Sequence, residues 1–149
     1  MLTVASSSLI LHSSYLCYNV YNVYNVNNVN ILLVYSCLML LQFIVSTIYH
    51  YHNADEDSFK YGHLIKRIDV TTAKTIAFSI LFLSIYYKFV TTIIYLIYVG
   101  AIYYFKLRDR PLQVYPHVSM HIVAYLGIRS FLYNYNQLIL NNFRSTHWT

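Results

Sequence analysis

Three histidines, a serine and an aspartate lie near the ends of long apolar runs, where their side chains can bind a metal or transfer a proton. His117 and His121 are four residues apart, so on a helix their rings share one face, one turn apart. Ser46 and His50 have the same spacing, and Asp69 begins the apolar run that follows. Ionisable groups are costly in apolar segments of bilayer length and tend to be functional there. The pattern therefore indicates a candidate functional site.

The chemistry that these residue types favour is that of a catalytic zinc ion. Three imidazoles with one position left open are a known catalytic arrangement, and we predict that Zn²⁺ is bound by His50, His117 and His121. A zinc ion in such a site lowers the pKa of bound water to about 7 or polarises a substrate carbonyl. Ser46 and Asp69 would orient the ligands or the water, and Asp69 could also accept the proton of the water. The alternative for the histidine pair is hydrogen bonding between helices.

The composition favours a membrane protein over an ordinary soluble domain. Of the 149 residues, 58% are hydrophobic and 10% are charged, whereas soluble domains are about 25% charged. The net charge of +5 would suit a nucleic-acid partner in a soluble protein. Here the basic residues lie between apolar runs, so membrane topology explains them better and we expect no nucleic-acid partner.

The apolar runs predict an all-α integral membrane bundle of about four transmembrane helices. Lys88 is the predicted tight turn between the second and third of the spans, which are 31–50, 69–87, 89–105 and 117–133. Residues 1–30 contain a three-residue Tyr-Asn-Val repeat that matches neither helix nor strand, and they are predicted to be a low-complexity segment without a function. Residues 134–149 are predicted to be a polar C-terminal tail.

An up-and-down path through four spans brings the five site residues to one side of the membrane. Basic residues near the helix ends predict which side this is, because cytoplasmic loops carry an excess of lysine and arginine. The site side carries the larger group, which is Lys60, Lys66, Arg67, Lys106, Arg108 and Arg110. We therefore predict that the metal site faces the cytoplasm and that both ends of the chain lie on the opposite side.

The remaining metal-ligand residue types are predicted to have no part in the site. Cys17 and Cys37 lack the spacing of a metal motif and are predicted to be unpaired. The other histidines are predicted to lie in loops or near the ends of the chain, and they are His12, His52, His63 and His147.

Three short motifs in this order resemble those of the CREST superfamily of membrane hydrolases. The motifs are Ser46-x-x-Tyr49-His50, an aspartate at the start of the next helix within Lys66-Arg67-Ile68-Asp69, and His117-x-x-x-His121. The superfamily includes alkaline ceramidases, progestin and adipoQ receptors, hemolysin III proteins and GPI-remodelling proteins. The resemblance implies the same zinc ligands, with Ser46 and Asp69 completing the site near a water.

The resemblance also implies an activity, which is hydrolysis of an amide or ester bond in a membrane lipid. The superfamily core has more spanning helices than this chain has room for, so the chain would be a shortened member. Such a chain could form a homo-oligomer, or keep the metal and lose catalysis. The alternative functions are a non-enzymatic interaction or assembly factor, in which the histidines join helices, and a metal-binding receptor without turnover.

Overall fold

The computed structural model describes residues 2–24, 30–51, 62–107 and 114–146, and the regular structure in these ranges is entirely helical. The predicted all-α fold is therefore confirmed. Five α-helices follow one another along the chain, and a π-helical turn, Tyr103–Leu107, continues the fourth. The helices are α1 Leu2–Tyr24, α2 Asn30–Tyr51, α3 Gly62–Tyr86, α4 Val90–Ile102 and α5 Val114–Thr146.

Side-chain contacts between successive helices show an up-and-down arrangement. Ser7 of α1 contacts Ser46 near the end of α2, and Ser14 contacts Ser36, so α1 and α2 are antiparallel. The helices α2 and α3 are antiparallel because Gln42 bonds to Asp69 while Tyr35, earlier on α2, lines one cavity with Ser79, later on α3. The helices α4 and α5 are antiparallel because Thr92 contacts Ser130 while Tyr95, later on α4, lies against Gly127, earlier on α5. The start of α1, the end of α2 and the starts of α3 and α5 therefore lie at one end of the bundle.

The first helix corrects the expectation for residues 1–30. Residues 2–24 form a 23-residue helix that includes the first part of the repeat, although the repeat was predicted to match neither helix nor strand; residues 25–29 lie outside the described ranges. Leu16, Cys17, Val20 and Tyr21 recur at the spacing of a helix face and pack on the core. The Tyr-Asn-Val period hid this face, because a period of three matches neither the helical period of 3.6 residues nor the strand period of two. The amino-terminal end of α1 consequently lies at the site end of the bundle, not opposite it as predicted.

The helices around the site are longer than the apolar runs indicated. The structure begins α3 at Gly62, so Asp69 lies two turns inside the helix rather than at its start. It continues α5 to Thr146, so most of the predicted polar tail is helical, and residues 147–149 lie outside the described part. Tyr135 is buried and stacks on Phe131, one turn earlier. Apolar residues three or four apart extend the helix through a segment of polar composition.

The predicted turn at Lys88 separates α3 from α4. Lys88 has a φ of 60°, in the left-handed region. The Phe89 amide donates to the carbonyl of Ser84 at 2.7 Å, and the Lys88 amide donates to that of Ile85 at 3.2 Å. These two bonds form a Schellman motif, which ends a helix by pairing its last carbonyls. The break at Lys88 is therefore confirmed, and the chain reverses within three residues.

The apolar core lies away from the histidines, where α1, α2, α3 and α5 meet. Tyr35 of α2 meets Phe131 of α5 edge to face, with ring centroids 6.2 Å apart, and Phe89 meets Phe131 from the α4 side. The core also contains Cys17, Leu32, Met39, Ile76, Ile80, Ile128, Leu132 and Tyr135. This cluster fixes how the helices are rotated against one another, and so fixes which side chains meet at the site end.

Large apolar side chains cover the outside of the bundle while many of its buried side chains are polar. Two described helical segments, Asn30–Tyr51 and His63–Tyr86, are long and apolar enough to cross a membrane, and α4 is a shorter apolar helix. Only 33% and 22% of the residues in the apolar stretches of these two segments are buried within the bundle. Outward-facing residues include Leu41, Ile44, Phe78, Phe82, Ile94 and Ile97. The buried polar side chains include a set of seven serines, which are Ser6, Ser7, Ser13, Ser14, Ser36, Ser46 and Ser84.

A glycine at the α4–α5 contact provides a test of this packing. A Cβ atom on Gly127 would lie 3.1 Å from the Cβ of Tyr95, which is fixed to the α4 backbone, whereas one on Gly100 would meet nothing within 4 Å. Both substitutions to alanine gain similar helix propensity, about 1 kcal/mol. We therefore expect Gly127→Ala to be less stable than Gly100→Ala by about 1–3 kcal/mol, because the helices must separate. Thermal unfolding in detergent measures the difference, and equal midpoints would contradict the α4–α5 contact.

Candidate metal centre

Three buried imidazoles from α2 and α5 meet at one end of the bundle. His50 is the second-last residue of α2, and His117 and His121 lie on successive turns near the start of α5. Each side chain is 7% exposed. One nitrogen from each ring lies within 4.8 Å of one from each of the other two. The predicted convergence of the three histidines is therefore present in the structure.

The rings face one another across the α2–α5 contact without stacking. The centroid of the His50 ring lies 4.3 Å from that of His117 and 6.1 Å from that of His121, and the two α5 rings are 4.7 Å apart. All three pairs are tilted steeply, with interplanar angles of 81°, 66° and 75°. Steeply tilted rings let nitrogen lone pairs converge on one point, which parallel stacking would prevent.

The donor set fits a metal ion that prefers imidazole. At a Zn–N distance of about 2.1 Å, a tetrahedral site holds its nitrogens about 3.4 Å apart, so small side-chain rotations close the observed separations. Nε2 of His50 is buried and has no hydrogen-bond partner in the described part of the chain. A buried polar atom without a hydrogen-bond partner reduces the free energy of unfolding by about 1–3 kcal/mol, and a bound cation would provide the missing partner. Three imidazoles suit zinc, copper, iron and nickel, so this set does not define the element.

A second polar group, centred on Asp69, includes a residue of α2 one turn before His50. Gln42 donates from Nε2 to Oδ1 of Asp69 at 2.6 Å, and Ser46 is a further hydrogen-bond partner of this carboxyl group. Ser46 lies one turn before His50 on α2, so the carboxyl group is linked to the helix turn that precedes His50. The carboxyl of Asp69 is thus held by α2 side chains, and the predicted Ser46 and Asp69 are brought into one hydrogen-bonded group.

Three residues that were not predicted complete these two groups. Ser6 Oγ lies 2.8 Å from Nδ1 of His121, and Ser7 Oγ lies 3.4 Å from Oγ of Ser46. Gln42 had a signal in the sequence, because it precedes Ser46 by four residues and so continues the face that carries Ser46 and His50. The two serines had no such signal, since serines are frequent in the first helix and their role depends on where α1 packs.

The other candidate ligands lie apart from the three histidines. His12 is exposed on α1 and pairs with the hydroxyl of Tyr125 at 3.0 Å, and His63 is exposed at the start of α3. The cysteines are both free, as predicted. His52 and His147 lie outside the described ranges. Within the described residues, His50, His117 and His121 are the one group that could hold a metal ion.

Comparison of the chain with protein-family models, with curated proteins and with solved structures finds no match. The function therefore has to be inferred from the residues and their geometry.

Proposed function

We propose that this chain is a multi-pass membrane protein that binds Zn²⁺ and hydrolyses an amide or ester bond of a membrane lipid. The observation that carries the proposal is the meeting of three buried imidazoles, one of which lies one helix turn after Ser46, a partner of the Asp69 carboxyl group. The three imidazoles would supply metal ligands, and the carboxyl group linked to the same end of α2 would supply a proton acceptor. The same residues carry the resemblance to the CREST hydrolases, which supports the choice of a lipid amide or ester.

The distribution of polar and apolar side chains supports the membrane part of the proposal. A soluble helical bundle buries its apolar faces, and contiguous exposed apolar surface marks contact with a partner or a membrane. In membranes, helices pack through small and hydroxylated residues, which also bond across the contact. Reciprocal bonds between Ser14 and Ser36, each hydroxyl donating to the other residue's carbonyl at 2.8 and 3.0 Å, are a contact of this kind.

Each site residue has a defined task in the proposed reaction. His50, His117 and His121 bind the metal as neutral imidazoles, and the zinc would supply Lewis acidity toward water and the substrate carbonyl. Asp69 accepts a proton from the attacking water, and Gln42 keeps its carboxyl group in place by donating to Oδ1. Ser46 joins this carboxyl group to the helix turn that carries His50. The substrate is a lipid because the apolar faces around the bundle give access from the hydrocarbon phase.

The proposed orientation places the metal site on the cytoplasmic side. Lys66 and Arg67 lie near the start of α3 and Lys106 near the end of the π-helical turn, all at the site end of the bundle. The positive-inside tendency assigns this end to the cytoplasm. A glycosylation acceptor inserted between residues 52 and 61 should stay unmodified in microsomes. Efficient modification there would show the reverse orientation.

Removal of the metal tests the proposed activity. Detergent-purified protein loaded with zinc should hydrolyse a ceramide or a lipid ester, and chelation should reduce the rate by at least about 100-fold, because the Lewis acid is lost. Restoring zinc to the chelated protein should restore the rate, which separates metal loss from unfolding. A rate unaffected by chelation would exclude a metal-dependent hydrolase.

One observation favours a second candidate, a metal-binding membrane protein without turnover. A cavity of about 660 Å³ lies between α2 and α3, and its lining includes none of the three histidines, Ser46 or Asp69. The three histidines are themselves buried, at 7% exposure each, whereas an enzyme needs room for its substrate beside the reacting groups. Binding of one zinc ion per chain with no hydrolysis of any lipid amide or ester would select this candidate.

A further inference from the structure

The first helix contacts the candidate metal centre directly through one serine. Ser6 lies on the second turn of α1, is 8% exposed, and places its hydroxyl oxygen 2.8 Å from Nδ1 of His121. The same oxygen lies 2.8 Å from the backbone carbonyl of Thr3. A segment whose sequence indicated no function thus reaches a predicted metal ligand.

The two contacts of Ser6 determine which nitrogen of His121 carries its proton. Each contact is short enough to need one hydrogen between the two atoms. The carbonyl of Thr3 has no proton, so the Ser6 hydroxyl must donate to it. The hydrogen between Ser6 and His121 must then come from the ring, with Nδ1–H donating to Oγ. His121 is therefore in the Nδ1–H tautomer, and Nε2 keeps its lone pair.

We propose that Ser6 is a positioning residue of the metal centre, which holds His121 in the tautomer and ring orientation that present Nε2 to the ion. This inference rests on the proposed zinc site, and it adds α1 to that site. Ligand histidines commonly donate their second ring nitrogen to an oxygen acceptor, which fixes the tautomer and raises the basicity of the coordinating nitrogen. Here the acceptor is a hydroxyl oxygen whose own proton is committed to the helix backbone.

Other serines of α1 show that a hydrogen bond to the helix backbone does not by itself account for the contact of Ser6 with His121. Ser8 donates to the carbonyl of Ala5 and Ser13 donates to that of Leu9, so bonding to the preceding turn is common along this helix. Ser13 is completely buried, and among the described residues its hydroxyl hydrogen-bonds to the carbonyl of Leu9 and to no side chain. Ser13 is therefore a matched control, because it is a buried serine on the same helix whose hydroxyl bonds to the backbone and not to a ring of the three-histidine group.

The test compares the zinc affinity of detergent-purified Ser6→Ala, Ser6→Thr and Ser13→Ala proteins with that of the unaltered chain, by competition with a chromophoric chelator. Ser6→Ala should weaken zinc binding by about 10–100-fold. Ser13→Ala should bind like the unaltered protein, and Ser6→Thr, which keeps the hydroxyl, should stay within about threefold of it. Visible absorption of bound Co²⁺ should change in Ser6→Ala and not in Ser13→Ala. Helix content and thermal midpoints of the two alanine variants show whether either is merely unfolded.

The outcomes separate this inference from the proposed function. Equal zinc affinities and equal Co²⁺ spectra in Ser6→Ala and Ser13→Ala, with a His121→Ala protein failing to bind zinc, would overturn the role of Ser6 and leave the metal site standing. An unaltered chain that binds no zinc, or a His121→Ala protein that binds as well as the unaltered chain, would overturn both. If Ser6→Thr bound zinc as weakly as Ser6→Ala, that result would also overturn the role of the hydroxyl.

Discussion

Replacing His117 and His121 together with alanine should reduce the zinc content of the purified protein from about one ion per chain to less than about one tenth, because only one imidazole of the site remains. The two rings lie on successive turns of α5 and face His50 across the α2–α5 contact. A single imidazole does not retain zinc during purification. Elemental analysis of protein purified without added metal gives the number directly.

The matched control for this loss is His12→Ala. His12 is also an imidazole on a helix of the bundle, but its partner is the hydroxyl of Tyr125 and it lies outside the three-histidine group. The control protein should keep its zinc. If both proteins contained the same amount of zinc, the ion would be bound elsewhere and the α2–α5 site would be wrong.

The second large effect is expected from Asp69→Asn, which should leave zinc bound and slow hydrolysis by at least about 100-fold. Asparagine has nearly the same shape, and its Oδ1 can still accept the hydrogen bond that Gln42 now donates at 2.6 Å. It cannot accept a proton from water, which is the task proposed for Asp69. The rate of hydrolysis and the zinc content of the same sample give the two quantities.

A variant elsewhere on α3 provides the comparison for Asp69→Asn. Thr75 is exposed and donates to the carbonyl of Thr71, one turn back, so Thr75→Val removes a polar group from the same helix away from the site. Thr75→Val should retain both zinc and activity. Loss of zinc in Asp69→Asn would make Asp69 part of the ligand set, and an unchanged rate would remove it from the reaction.

The meeting of the three histidines could be predicted because it depends on spacing and on chain direction. A separation of four residues places His117 and His121 on one helix face, and alternating helix directions bring the end of α2 to the start of α5. Both features survive errors in helix length. The predicted start of α3 was seven residues late and the predicted start of α5 was three residues late, yet both helices still begin at the site end.

The contribution of α1 could not be predicted, because it depends on packing that no local pattern encodes. Which of its many serines faces His121 is decided by the rotation of α1 against α2 and α5, which the core residues around Cys17 fix. The four-span count likewise stays a prediction. Two described helices are long and apolar enough to cross a membrane. The helix α4 is short, and the polar residues of α5 lower its mean hydropathy.

X-ray absorption at the zinc edge of the unaltered protein in detergent tests the metal centre most directly. The three-histidine site predicts about one zinc ion per chain, with imidazole nitrogens at about 2.0–2.1 Å, a fourth ligand that is a light atom, and no sulfur. A sample without zinc after loading, a sulfur ligand at about 2.3 Å, or a shell of oxygens without imidazole scattering would contradict it.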